Sequence, residues 1–553
     1  MIDTHHPLIS LCMIVKNEAE HLATCLESVQ EVVDEIIVVD TGSTDSTIQI
    51  AQHYGANVIS FPWTSDFAAA RNVGITQAQG TWILILDADE ELDHSSKEEL
   101  KLCAIHLEYE GFFLRIHNHT GKEKSSPTAT VNPILRMFRN RPEHLFRGII
   151  HEQIAASITE FRPNAALHLS TVMIHHYGYA DHTVSEKDKI QRNVTLLTKE
   201  LRRSPNDPFQ HFNMAVEYMR LGEHQKALDH IHKSMALIVP DTSYGHLLHK
   251  YEIRCRYALG QIDEALNCCN QAIGIYPEYT DIFHLKGAIF FANRMLYEAR
   301  STLMKAIVLG PAPTHYHTET GLGTYLSCNM LGQIAEEVGH DSEAITWYTK
   351  SALFQPDWVQ TSNRILRMMK CVDREQDIPE LLANHFPLHI QDTEIRNEVI
   401  KWLALDGSYQ AAQSLISQLD TFKTDESEAS WRSLISSDHP FISDIPQETL
   451  TLAIPYAYQF GQENKAFNLL RQWEHRYQNE SRNSTDILHS TEQIQDEVLE
   501  PKQPTESLMN EAYHLGRTWI ALTDAILSRN EPSSPHYSAI HRVRLMLPLP
   551  RIK

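Results

Sequence analysis

The sequence has 553 residues, of which 42% are hydrophobic, and a formal net charge of −23. This length exceeds a single hydrophobic core, so we expect three or four domains. The negative charge argues against nucleic acid as a main partner, because neutralising phosphates requires basic patches. No apolar run approaches the length of a transmembrane helix, so no membrane span is expected.

The eight cysteines are scattered without the spacing of metal ligands. The N-terminal residues lack a basic region followed by an apolar one, which predicts no secretory signal. Reduced thiols and a cytoplasmic location are therefore expected.

Strands and helices alternate in the N-terminal part of the sequence. Apolar runs predict strands at 8–15, 35–39, 58–61 and 81–86, separated by helices at 20–30, 48–54 and 67–78. Later strands are predicted at 111–116 and 134–138. This alternation predicts an α/β domain with a mostly parallel sheet flanked by helices. The glycine-rich fingerprints of a dinucleotide site and of a P-loop are both missing after the first strand, which argues against those sites.

Acidic residues end two of the predicted strands. Asp40 follows the second strand, and Asp87 and Asp89 follow the buried strand at 81–86. The carboxyl ends of parallel strands are where open α/β sheets bind their ligands. Two carboxylates there offer oxygen ligands for Mg²⁺ or Mn²⁺ and leave other positions for phosphate oxygens. The alternative is that these carboxylates stay solvated and only cap strand ends.

Three motifs resemble those of family 2 glycosyltransferases. They are Val-Val-Asp-Thr-Gly-Ser-Thr-Asp at 38–45, Asp-Phe-Ala-Ala-Ala-Arg-Asn at 66–72 and Leu-Asp-Ala-Asp-Glu at 86–90. The resemblance covers roughly residues 8–180. It implies a GT-A fold, a nucleotide-sugar donor such as UDP-glucose or UDP-N-acetylglucosamine, and a divalent cation, Mn²⁺ or Mg²⁺, at the Asp-x-Asp motif. It also implies transfer with inversion of the anomeric configuration.

The resemblance assigns the acidic motif to the metal. Asp89 is expected to coordinate the cation directly, whereas Asp87 either coordinates it, reaches it through water or contacts the ribose.

Four further residues are expected to bind the nucleotide. Asp40 is placed against the base or ribose, with a purely structural turn as the alternative. Arg71 is expected to contact the nucleotide or its diphosphate, the alternative being a surface pair with Asp66. Lys16 and Asn17 are candidate lining residues at the end of the first strand.

Two later stretches, 146–152 and 172–179, resemble a subgroup that includes bacterial peptide S- and O-glycosyltransferases with helical repeat tails. Glu152 falls where a carboxylate that activates the acceptor is expected, and a salt bridge to Arg147 is the alternative. His176, or its neighbour His175, falls where a late metal-binding histidine is expected. A core histidine is the competing interpretation.

From about residue 185 the pattern becomes helical and resembles tetratricopeptide repeats. Small residues recur where two helices would cross closely, and proline follows the second helix. Successive copies comprise Gly222, Ala227, Ser234 and Pro240; Gly260, Ala265, Ala272 and Pro277; Ala299, Ala306 and Pro311; and Gly339, Ala344, Ser351 and Pro356. An all-α superhelix is expected.

We therefore predict five segments. A GT-A domain at 1–184 precedes a tetratricopeptide-type array at 185–370 and degenerate helical repeats at 371–477. A mobile linker at 478–505, rich in polar residues, precedes a capping helix and tail at 506–553.

The sequence predicts a metal-dependent inverting glycosyltransferase whose repeats select a peptide or protein acceptor. Stacked helix pairs form a concave groove that commonly receives an extended peptide, although a scaffold or homodimer interface is an equal possibility for the repeats. Two alternatives differ in function. One is transfer to a cell-envelope saccharide, and the other is a non-catalytic adaptor with a vestigial transferase fold.

Overall fold

The computed structural model describes residues 7–119, 129–177, 183–239 and 242–354, together with shorter stretches between 364 and 415. The chain divides into two compact units, Met1–Trp358 and Val359–Lys553. The predicted linker, the predicted capping helix, most of the degenerate repeats, Pro240 and Pro356 lie outside the described residues. In the second unit, a helix spans Ile378–His385.

A nine-stranded mixed sheet forms the centre of the N-terminal region. The strands are β1 (Ile9–Val15), β2 (Glu35–Asp40), β3 (Asn57–Ser60), β4 (Trp82–Ile85), β5 (Glu90–Leu92), β6 (Gly111–His119), β7 (Ala129–Arg139), β8 (Leu167–His176) and β9 (Thr318–Glu319). Their order in the sheet is β3-β2-β1-β4-β7-β6-β8-β5, and β9 also pairs with β7. The neighbouring strands β3, β2, β1 and β4 are parallel, and β7 pairs antiparallel with β4.

Five helices accompany this sheet, and the predicted α/β architecture is confirmed. They are α1 (Leu22–Val29), α2 (Thr47–His53), α3 (Phe67–Ile75), α4 (Lys97–Ile105) and α5 (Ala155–Phe161). The central strands are apolar because both of their faces are covered. Leu11 and Leu84 pack in one cluster with α1 and α4, whereas Cys12 and Ile83 pack in another with α3 and α5.

Two local features lie next to the carboxyl ends of β4 and β2. The residues just after the acidic motif form the short antiparallel strand β5, which pairs with β8. At the start of α2, the Asp45 carboxylate accepts the Thr47 backbone N–H at 3.0 Å, so this carboxylate satisfies one of the N–H groups at the helix end.

Nine helices follow the sheet in the described part of the first unit, and the predicted repeat architecture is confirmed. The small residues Ala227, Ala265, Ala299 and Ala344 are fully buried between helices. The helices are α6 (Thr183–Arg203), α7 (Pro208–Arg220), α8 (His224–Leu237), α9 (Gly245–Ala258), α10 (Ile262–Ile275), α11 (Thr280–Ala292), α12 (Leu296–Leu309), α13 (Tyr325–Glu337) and α14 (Asp341–Phe354). No helix among the described residues has the length and apolar character needed to cross a membrane.

The connection between α12 and α13 returns from the repeats to the sheet. Its strand β9 pairs antiparallel with Thr130 and Val131 of β7. Next to this pairing, the Thr320 backbone N–H donates to the Ala129 carbonyl at 2.8 Å. The repeat array and the sheet are therefore joined by backbone hydrogen bonds as well as by the chain itself.

A buried ionic cluster attaches this connection to the repeats. Lys250 of α9 lies 2.6 Å from Asp281 of α11 and 2.9 Å from Glu319 of β9. Thr318 Oγ1 donates to the second oxygen of Asp281 at 2.5 Å. His246 Nε2, also on α9, accepts the His317 backbone N–H at 3.0 Å. Because Lys250 and Asp281 are shielded from water, each requires the other to compensate its charge.

Replacing Lys250 with Met should destabilise the first unit by about 3–5 kcal/mol, because Asp281 and Glu319 would then be left without their shared cation. Chemical denaturation of the full chain, followed by tryptophan fluorescence, measures this loss. Lys226→Met, which removes an exposed partner of Glu223, is the matched control and should change stability little. Equal effects of both substitutions would contradict the importance of the buried cluster.

Candidate functional site

The carboxyl ends of β1 and β2 lie side by side and are joined by Asn17. Val15 and Asp40 are register partners at the ends of these strands. Asn17 has a left-handed backbone (φ 57°), its N–H donates to Ser43 Oγ at 2.9 Å, and its Oδ1 accepts the Thr44 N–H at 2.7 Å. Lys16 is exposed beside it. The predicted lining residues therefore meet at one edge of the sheet.

Asp40 organises the turn that follows β2. Its buried carboxylate accepts the backbone N–H groups of Gly42 at 3.0 Å and Ser43 at 3.1 Å. Gly42 has a φ of 107°, a conformation that suits glycine. Asp40 therefore makes the contacts expected of a residue that only stabilises a turn. Its role towards a nucleotide stays a prediction.

Helix α3 places Arg71 and Asn72 in the interior. The Asp66 side chain caps the helix by accepting the Ala69 N–H at 2.9 Å, so the alternative pairing of Arg71 with Asp66 is wrong. Asn72 instead holds Phe146 through two backbone hydrogen bonds, donating from Nδ2 at 3.0 Å and accepting at Oδ1 at 2.8 Å.

Arg71 links the acidic motif to Glu152. Its Nη2 donates to Asp87 Oδ1 at 2.8 Å, and its Nε donates to Glu152 Oε1. The side chains of Arg71 and Glu152 are only 10% and 11% exposed. Two predicted site residues that are far apart in sequence are thus held by one guanidinium, whose planar fork can donate to both carboxylates.

Arg136 of β7 extends this network and was not identified from the sequence. Its Nη2 lies 3.1 Å from Asp87 Oδ2 and 2.6 Å from Glu90 Oε1. Burial alone would raise the pKa of Asp87. The guanidiniums of Arg71 and Arg136 nevertheless hold this pKa well below its usual range. Burial raises the pKa of Glu90 to about 7 despite Arg136.

The sequence did contain a signal for Arg136. It lies within the buried run Leu135-Arg136-Met137-Phe138, and a charge inside an apolar strand requires a partner. Glu90 gave no such signal, because its neighbours in sequence are also acidic.

Asp89 lies against His176 rather than within the arginine network. His176 Nε2 is 3.1 Å from Asp89 Oδ2, and its Nδ1 is 2.7 Å from Asn118 Oδ1. Burial would lower the pKa of His176, but the hydrogen bond and charge of Asp89 raise it. His175 points elsewhere, with Nε2 3.1 Å from Asp93 Oδ2. Of the two candidate histidines, His176 is therefore the one beside the acidic motif.

Asp89 and His176 fit a divalent cation that takes its other ligands from substrate and water. Among the described residues, no group of three His, Cys, Asp or Glu side chains converges as a metal site. Both Asp87 oxygens already accept from arginines. Mg²⁺ commonly uses only one or two protein carboxylates together with substrate phosphates. Asn118 would keep the His176 ring oriented by accepting from Nδ1.

Glu18 is another acidic side chain near this edge that the sequence did not mark as a site residue. Its backbone N–H donates to Thr47 Oγ1 at 2.8 Å, which places it beside the end of β1. Burial and the nearby charge of Asp89 raise the pKa of Glu18 to about 7.

Glu152 belongs to a tight loop, 146–153, whose ends are bridged by backbone hydrogen bonds between Arg147 and Gln153. Arg147 pairs with Glu160, so the alternative salt bridge between Arg147 and Glu152 is wrong. Among the described residues no donor contacts Glu152 Oε2. That oxygen can accept a proton from a bound group.

Comparisons with known proteins place this site in a family. Residues 10–157 match the model described as Glycosyl transferase family 2. A TPR repeat-containing protein of Synechococcus elongatus is 33% identical over 290 residues, covering 51% of this chain and 68% of that protein. The SPbeta prophage-derived glycosyltransferase SunS of Bacillus subtilis is 31% identical over 299 residues, covering 52% and 68%.

Solved structures show weaker similarity. The alignment with the structure of Staphylococcus aureus TarS residues 1–349 covers 52% of this chain and 91% of that structure. The sequence identity is 14% and the TM-score is 0.28. This superposition is too distant to support an inference about the site.

Replacing Arg71 with Lys should loosen loop 146–153, because an ammonium group cannot donate to Asp87 and Glu152 in the fork geometry of the guanidinium. Hydrogen–deuterium exchange of the loop amides should become faster while the amides of β1 stay unchanged. Arg147→Lys, in the exposed pair with Glu160, is the control and should leave exchange unaltered. Unchanged exchange in Arg71→Lys would contradict this linking role.

Proposed function

Because the chain belongs to glycosyl transferase family 2, we propose that it is a metal-dependent, inverting glycosyltransferase that transfers a sugar from UDP-glucose or UDP-N-acetylglucosamine to a peptide or protein side chain. The observation that carries this proposal is the Arg71 guanidinium, which holds Asp87 and Glu152 together. It brings a candidate base to the motif that is expected to bind the sugar donor.

Glu152 is the proposed base. The acceptor heteroatom attacks the anomeric carbon, the bond from that carbon to the diphosphate oxygen breaks, and Glu152 takes the acceptor proton. Oε1 is held by Arg71, which orients the carboxylate so that Oε2 can receive the proton.

Asp89 and His176 are the proposed protein ligands of the divalent cation, Mn²⁺ or Mg²⁺. When bound, the cation supplies positive charge to the leaving diphosphate. The 3.1 Å separation between His176 Nε2 and Asp89 Oδ2 supports this assignment. Asp87 is proposed to act mainly as an acceptor for the two arginines, which leaves its contact with metal or ribose as a secondary role.

The nucleotide is proposed to bind along the ends of β1 and β2. Lys16 and Asn17 end the first strand, and Asp40 ends the second. Asn17 ties the two loops together, and this shapes a surface for the base and ribose. The Nε and Nη2 of Arg71 already donate to carboxylates. Its Nη1, which has no hydrogen-bond partner among the described residues, is therefore the donor proposed for the diphosphate.

A macromolecular acceptor is proposed because of the repeats, but part of the repeat surface is occupied by the chain itself. The faces of α9 and α11 that carry Lys250 and Asp281 hold the chain's own residues 316–319. Tyr316 packs against Tyr279 in the same place. An acceptor peptide would therefore bind outside this segment. The proposed setting is the cytoplasm, where buried thiols such as Cys12 stay reduced.

Removing the cation should abolish release of UDP from the donor, since the leaving diphosphate would lose its counter-charge. Turnover of a panel of UDP-sugars with Mn²⁺, Mg²⁺ or EDTA measures this, and electron paramagnetic resonance of free Mn²⁺ measures binding directly. Asp89→Asn should weaken Mn²⁺ binding about 10-fold or more, whereas Asp93→Asn, next to His175, should not. Turnover that persists in EDTA without any divalent cation would contradict the metal assignment.

Replacing Glu152 with Gln should lower kcat by about 100-fold to 10,000-fold, because the amide cannot take the acceptor proton. The donor KM should change little, since the amide oxygen can still accept from Arg71. Glu160→Gln is the control. Mass spectrometry of peptide mixtures incubated with each donor identifies the acceptor, and sugar transfer only to saccharides would favour the cell-envelope alternative.

A further inference from the structure

The first repeat helices pack against the loop that carries Glu152. Ile149 and Ile150 of loop 146–153 are buried in a cluster with Leu196 and Leu197 of α6 and Met214 of α7. Phe67 of α3 packs against the same cluster, and its backbone N–H donates to the Ile149 carbonyl at 3.0 Å. The loop is therefore held between the α/β domain and the repeats.

The backbone of this loop adopts two left-handed conformations. Gly148 has a φ of 98°, and His151, directly before Glu152, has a φ of 51°. Residues other than glycine rarely adopt this conformation, and it persists only where the surroundings determine it. Whatever fixes the His151 side chain therefore also fixes the direction of the Glu152 side chain.

Glu217 of α7 is the carboxylate that faces His151. Its side chain is 2% exposed, and its Oε1 lies 4.0 Å from His151 Nε2. Asn193 Nδ2 of α6 donates to the same oxygen at 2.7 Å, and Arg220 donates to Oε2 at 3.2 Å. His151 Nε2 is itself buried and has no hydrogen-bond partner among the described residues.

We propose that Glu217 is a positioning residue for the transfer reaction: it receives the His151 ring N–H and thereby holds the Glu152 carboxylate towards Arg71. This inference rests on the proposed function of Glu152. It extends the residues that serve the reaction to α7 of the repeats, outside residues 10–157, which match the family model.

The separation of 4.0 Å suits this role. It is too long for a direct hydrogen bond in the free protein. Contacts that support catalysis are commonly long in the free enzyme and shorten in the substrate complex. Burial lowers the pKa of His151, so a neutral ring donates to Glu217 and the contact requires no proton uptake.

Three variants of the full-length protein test the proposal in the UDP-release assay. Glu217→Leu removes the acceptor and should lower kcat by between about 10-fold and 100-fold, the size of effect expected when a reacting group is misplaced. The donor KM should stay within about 2-fold, because the nucleotide edge is not touched. Glu217→Gln keeps an oxygen at this position and should restore most of kcat.

Glu252→Leu is the matched control. Glu252 is a buried carboxylate on α9 that also pairs with a histidine and an arginine, His232 and Arg256, outside loop 146–153. The Glu252→Leu substitution should leave kcat unchanged even where it lowers the melting temperature. Equal losses of kcat in both Leu variants, a change confined to KM, or no restoration by Gln would each overturn the proposal.

Two further measurements keep the outcome decisive. If Glu217→Leu does not fold, His151→Asn takes its place, because Asn tolerates the left-handed conformation but lacks the ring N–H. An unchanged kcat in this variant would overturn the proposal.

If the wild-type protein releases UDP from no donor, the proposed function fails separately. Hydrogen exchange of loop 146–153 in Glu217→Gln and Glu217→Leu then decides whether Glu217 holds the loop: faster exchange only in the Leu variant supports it, and no change overturns it.

Discussion

The shared guanidinium of Arg71 is the interaction on which the site depends. A buried cation requires compensating anions, and Arg71 obtains them from Asp87, just after β4, and from Glu152 on a distant loop. Because its donors have fixed directions, the two carboxylates are oriented as well as neutralised. Removing the guanidinium would leave Glu152 without its cationic partner and would loosen the loop, whereas Asp87 would keep Arg136. The same contact thus stabilises the fold and sets the geometry of the proposed reaction.

The two aspartates of the acidic motif lie in different electrostatic surroundings. Asp87 accepts from Arg71 and Arg136, so it stays ionised and its oxygens are occupied. Asp89 instead faces a histidine whose ring is oriented by Asn118. A cation that replaces the proton between Asp89 and His176 would find one carboxylate and one imidazole already directed towards it. The two carboxylates lie two residues apart in the turn between β4 and β5, and elements distant in sequence give them different partners.

The repeats serve the α/β domain as well as any acceptor. Strand β9 joins the sheet, and its ionic cluster with Lys250 and Asp281 occupies part of the surface of α9 and α11. Helices α6 and α7 cover the loop that carries Glu152. A description of the protein as a transferase domain joined to a separate recognition domain therefore understates the contacts between the α/β domain and the repeats. Changes in the first repeats should influence catalysis directly, whereas acceptor selection requires a part of the repeat surface that is not already taken.

The sequence by itself determined the α/β architecture, the helical repeats and the membership of the acidic motif in a family pattern. These properties follow from local periodicity and from motifs in which every residue is close to the next. Only the tertiary structure decided that Arg71 pairs with Glu152, that Arg136 joins Asp87, that His176 rather than His175 faces Asp89, and that residues 316–319 pack against α9 and α11. Each of these is a contact between segments distant in sequence. Local pattern carries no information on such contacts, because the packing of the whole fold determines which charged groups are buried together.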